Sequence, residues 1–155
     1  MVSHPRGHLG RALVGGAGGA LAYLAAQTLD LALLGNGSND LKLLGMAVTR
    51  RAPFWQLLGL AAHFSFGALL GVVYAATGAR WLPGPPWQRG LLFAQLENAL
   101  LGVLLLPLID RFHPAIRAGL LPPYLRPLPL LQQIFRHAAY GATLGFIAGD
   151  WGGNR

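Results

Sequence analysis

The chain has 155 residues, of which 54% are hydrophobic and 11% charged, against roughly 25% charged in an ordinary soluble domain, so a soluble fold of this size could not cover its surface. Its formal net charge of +7 comes from 12 Lys and Arg against 5 Asp and Glu, and the basic residues mostly flank apolar segments. That placement points to a bilayer with anionic headgroups and away from nucleic acid, and the absence of cysteine excludes disulfides and thiolate metal or iron–sulfur sites.

The chain starts with a short basic stretch containing His4, Arg6, His8 and Arg11, followed by an apolar run over residues 9–34. The run is too long for a signal-peptide core of roughly 7–15 residues, and no small-x-small cleavage site leads into a polar mature domain. A first membrane helix is expected here. It carries Gly15, Gly16, Gly18 and Gly19, with a GxxxG spacing from Gly15 to Gly19, and Gln27, Thr28 and Asp30 toward its end.

Residues 35–39 form a turn by composition, and Ser38 or Asn39 can cap a short amphipathic helix over 40–50 that lies in the interface. Pro53, Phe54 and Trp55 open a second span over 55–77. A stiff connector with Trp81 and Trp87 leads to a third span over 90–108, closed by Pro107, Asp110 and Arg111. Five prolines between 112 and 129 rule out one continuous helix there, and a fourth span is expected over 130–149. Each span supplies roughly the 20 residues that a bilayer core of about 30 Å requires.

One pattern occurs twice. His63, Phe66, Gly67 and Gly71 return as His137, Tyr140, Gly141 and Gly145, with the same i+3, i+4 and i+8 spacings on one helix face. Gly59 and Gly149 extend the two stripes. Faces with so little bulk let another backbone approach, and in lipid they are packing surfaces. Asp30 and Asp110 close the odd helices at equivalent places. The reading is an all-α, integral membrane four-helix bundle made of two tandem transmembrane helical hairpins, a pseudo-repeat in a single domain. Helices two and four then run parallel, with His63 and His137 at similar depth, each roughly 10–12 Å inside its helix start. The cations divide five against seven between the two sides. The basic start of the first helix favours termini in the cytoplasm.

Three roles stand open for His63 and His137: packing through a hydrogen bond to Asp30, Asp110, Gln27 or a carbonyl; axial ligation of a haem; or a proton, ion or quinone pathway. Glu97 is the deepest acid, with Gln95 and Asn98 beside it. The depth count puts it away from the histidines and closer to Arg80 or Arg89. The tryptophans read as interface anchors. No P-loop, dinucleotide fingerprint, HExxH or Ser/His/Asp signature is present, so no catalytic residue is assigned.

The His-x-x-aromatic-Gly-x-x-x-Gly helix, preceded in its second copy by Leu121-Pro-Pro-Tyr-Leu-Arg-Pro and Gln132-Gln-Ile-Phe-Arg-His137, resembles small uncharacterised bacterial inner-membrane proteins of the YagU type. The likeness covers residues 56–78 and 112–149. It implies a multi-span inner-membrane protein and carries over no catalytic residues. Two functions are therefore expected: a structural or accessory subunit that packs through its glycine faces with itself or a larger complex, or a redox or transport protein using the two histidines.

Overall fold

The structure, a computed structural model, describes residues 5–35 and 38–149. Among these it is entirely helical: α1 (Pro5–Leu34), α2 (Asp40–Met46), α3 (Phe54–Ala76), α4 (Gly78–Trp81), α5 (Pro86–Phe112), α6 (Pro114–Arg117) and α7 (Pro127–Ala148). The four long helices pack side by side in the order α3, α1, α7, α5. The bundle thus has an α4 end and an opposite end that carries α2 and α6.

Local sequence explains the helix limits. Proline in the first turn lacks only an N–H that would be unpaired anyway, so α5 starts at Pro86 and α7 at Pro127, earlier than residues 90 and 130. Pro107 does not close its span, because α5 continues through it to Phe112. At the end of α1, Gly35 takes a positive φ of 60° and its N–H bonds back to the Leu31 carbonyl at 3.1 Å, a stop that favours glycine.

The segment expected to lie flat over 40–50 behaves differently. Asn39 caps α2 by accepting from the Lys42 N–H at 3.0 Å, and the helix ends at Met46. It runs antiparallel along the first turns of α3, where a Cβ on Gly59 would overlap the Leu41 carbonyl and one on Gly45 the Trp55 carbonyl. Its first residue, Asp40, is buried inside the bundle.

Glycine determines how closely the long helices approach. Between α1 and α3, Gly16 faces the Gly67 carbonyl and Gly71 the Ala12 carbonyl. Between α5 and α7, Gly90 and Gly141 face each other's carbonyls and Gly145 faces that of Pro86. Between α1 and α7, Gly15 lies on Ala148 and Gly19 on Tyr140, while Gly149 sits on Pro86. Added side chains at these positions would meet a neighbouring helix of the same chain.

Three helical stretches are long and apolar enough to cross a membrane: His8–Leu34, Phe54–Trp81 and Pro86–Phe112. The fourth expected span is a helix, α7, but does not join them by that measure. Gln132, Gln133, Arg136 and His137 fall within two of its turns. The first three are buried against the rest of the bundle.

Candidate functional site

Arg136 is fully buried on α7, and every N–H of its guanidinium finds an acceptor. Nε and Nη2 make a two-pronged contact with the Asp30 carboxylate, both at 2.6 Å, and Nη1 donates to Asp40 Oδ2 at 2.8 Å. Nη1 also reaches Gln27 Oε1 at 3.4 Å, and Nη2 the Ser38 carbonyl at 3.1 Å. Gln132 donates to Asp30 at 3.0 Å, Gln133 donates to Asp40 at 3.0 Å, and the Tyr23 hydroxyl lies 2.6 Å from Asp40 Oδ2. A buried guanidinium persists only when paired and fully bonded, which explains why α1, the 38–40 segment and α7 converge here. Tyr124, in the connector before α7, lies at its edge. Burial foremost, then the Asp40 carboxylate, pushes its phenol well above the usual range.

Beside this network opens a cleft of about 360 Å³. α3 and α5 meet near the α4 end, where the Tyr74 and Phe93 rings lie 5.4 Å apart. Farther along they diverge, and the gap between them is walled by Phe66, Leu69, Leu70, Leu101 and Leu105, with α2 contributing Leu43 and Leu44 at one rim. The polar groups on its floor are Tyr23, Asp40, His63, Glu97, His137 and Tyr140.

The Tyr23 ring touches both imidazoles, with centroids 5.1 Å from that of His63 and 5.1 Å from that of His137. His63 Nε2 lies 3.0 Å from the Ala20 carbonyl and His137 Nδ1 lies 2.8 Å from the Gln133 carbonyl. Carbonyls only accept, so these two nitrogens carry hydrogen, and the neutral rings keep His63 Nδ1 and His137 Nε2 as acceptors. His137 Nε2 faces Glu97 Oε2 at 3.5 Å. Two acceptors in that relation attract when one proton sits on either of them, so the pair is suited to holding a proton. Glu97 Oε2 is buried and has no hydrogen-bond partner.

Glu97 thus stands beside His137, not beside Arg80 or Arg89; Arg89 Nη1 donates to the Ala79 carbonyl at 3.1 Å. The depth count fails because α5 and α7 begin three to four residues early, which moves both groups to mid-helix. Gln95, one residue pair away, donates to the Ile134 carbonyl at 2.8 Å, and Asn98 lines a separate hollow between α5 and α7. Asp110 accepts from the backbone N–H groups of Tyr124 and Leu125 at 2.6 and 2.9 Å, and so shapes the connector. Arg136, counted among the flanking cations in the sequence, is an interior residue. Its signal was the Gln132, Gln133, Arg136 spacing on one face of α7, matched by Gln27 and Asp30 one turn apart on α1.

Of the nitrogens a haem could take, His63 Nε2 and His137 Nδ1 are engaged with backbone carbonyls, and the Tyr23 ring packs against both imidazoles. Among the described residues, no group of three or more His, Cys, Asp or Glu could hold a metal ion. Comparison with protein-family models, curated proteins and solved structures found no match.

Proposed function

We propose that this is a polytopic membrane protein in which α7 crosses together with α1, α3 and α5, and that it holds a lipophilic molecule with an oxygen-bearing head in the cleft between α3 and α5. The observation that carries the reading is the Glu97–His137 pair on the floor of an otherwise apolar cleft, with a buried carboxyl oxygen left unpartnered. Ionisable groups at mid-helix are costly in lipid and are the usual mark of a functional site there. Apolar walls with a few convergent polar groups are the common form of a small-molecule site. The polar face of α7 turns inward, and this supports a crossing that composition alone does not grant.

The packing-subunit reading rests on glycine faces free to meet a partner. Those glycines lie against helices of the same chain, which favours the cleft over the stripes as the working surface. The YagU-type likeness agrees with several crossings and bears on no ligand.

The test is calorimetric titration of the purified full-length protein with decyl-benzoquinone, a lipophilic carbonyl probe. Saturable binding is expected for the wild type. Leu101→Trp, which fills the cleft from its wall, should abolish it, and Glu97→Ala should weaken it about fivefold, in line with roughly 0.5–1.5 kcal/mol for a hydrogen bond donated by the protonated carboxyl to the quinone carbonyl. Equal binding by wild type and Leu101→Trp sinks the proposal.

A further inference from the structure

The described acidic side chains are all engaged: Asp30 and Asp40 by Arg136, Glu97 beside His137, and Asp110 by two backbone N–H groups. The fifth, Asp150, lies outside the described residues. At the α4 end, cations terminate on helix carbonyls, as Arg11 does on Gly149 at 2.6 Å and Arg89 on Ala79 at 3.1 Å. At the opposite end, Lys42, Arg50, Arg51, Arg111, Arg117 and Arg126 have no carboxylate partner among the described residues. That face carries positive charge that no carboxylate among the described residues neutralises.

Two of these arginines share a recess. Arg50 and Arg117 line a depression of about 340 Å³ together with Phe112, Pro114 and Ala118. Its walls are fixed by a clamp between α2 and α6. His113 Nδ1 accepts from the Ala115 N–H at 3.2 Å, so Nε2 carries the hydrogen it gives to the Leu43 carbonyl at 2.9 Å. Met46, Ala115 and Leu121 pack beneath, with Trp55 and Ile116 against them. The depression sits past the end of α5 and before the start of α3, where two apolar stretches stop. That is headgroup depth if these helices cross a bilayer.

We infer that this depression binds the phosphate of an anionic phospholipid. Guanidinium forks match phosphate oxygens in a way that a point charge does not, and the adjoining Phe112 and Pro114 offer apolar surface to the glycerol and upper acyl chain. The inference rests on the helices crossing a membrane, and is independent of what fills the cleft.

The experiment is native mass spectrometry of the full-length protein released from detergent with phosphatidylglycerol or phosphatidylcholine. The wild type should retain one phosphatidylglycerol in preference to phosphatidylcholine. The double variant Arg50→Gln/Arg117→Gln should lose roughly 30-fold in phosphatidylglycerol affinity, the effect of removing two headgroup-level cations. Arg80→Gln, at the other end, should change nothing. Unchanged phosphatidylglycerol retention in the double variant overturns the proposal, as does displacement of the lipid by millimolar inorganic phosphate, which would make this a free-anion site. Carbonate extraction of the same variants reports membrane integration separately, so lost lipid adducts on a still-embedded protein concern this depression alone.

Discussion

Two seams of the structure, one between α1 and α7 and one between α3 and α5, are built in opposite ways. Along α1 and α7 the helices are drawn together: Gly15 and Gly19 admit Ala148 and Tyr140, and Arg136 ties Asp30 and Asp40 into one bonded network. Along α3 and α5, Tyr74 and Phe93 touch near one end and the helices then part around a cleft walled by leucines. The difference teaches that apolar side chains alone do not close a seam in a chain this hydrophobic. In lipid, leucine gains little by touching leucine, whereas close backbones and buried hydrogen bonds distinguish one neighbour from another.

Removing the centre of the closed seam has the largest expected effect. Arg136→Ala leaves two buried carboxylates without their cation and should lower stability by about 3–5 kcal/mol. A fall in the thermal midpoint of the detergent-purified protein, or failure to accumulate in membranes, is the expected result; an unchanged midpoint would dissolve the contrast between the seams. Widening the same seam comes next. A side chain at Gly19 meets both the Tyr140 ring and its carbonyl, so Gly19→Leu should cost about 1–3 kcal/mol as overpacking, measured in the same way. The smallest effect belongs to the open seam. Leu101 is about two-fifths exposed, and Leu101→Ala should shift stability by less than about 0.5 kcal/mol. A large loss there would mean that α3 and α5 close on each other in the membrane.

Much of the local architecture was legible. Apolar runs correctly place residues on helices, because that signal spans one or two turns, whereas the proline starts at Pro86 and Pro127 and the passage of α5 through Pro107 were not legible in it. The candidate site was legible only in its parts. His63, His137 and Glu97 stand out as polar residues in apolar runs, but the Glu97–His137 pairing depends on helix starts that shifted by a turn. Tyr23 gave no signal at all, since a tyrosine in an apolar helix reads as packing. Arg136 looked like one more flanking cation, and only its contact with Asp30, 106 positions away, makes it the centre of the seam.

The sequence by itself determined that the chain is helical and rich in membrane-length apolar segments, and that its basic residues gather near segment ends, because composition and short-range periodicity suffice for each. Only the tertiary structure decided which helices are neighbours, that the glycines meet backbones of the same chain, that α2 brings Asp40 into the interior, and that one seam stays open. The physical reason is that a glycine face or a buried ion pair specifies what a partner must offer, and the partner is chosen by which distant segment can satisfy it at the lowest cost in unpaired polar groups.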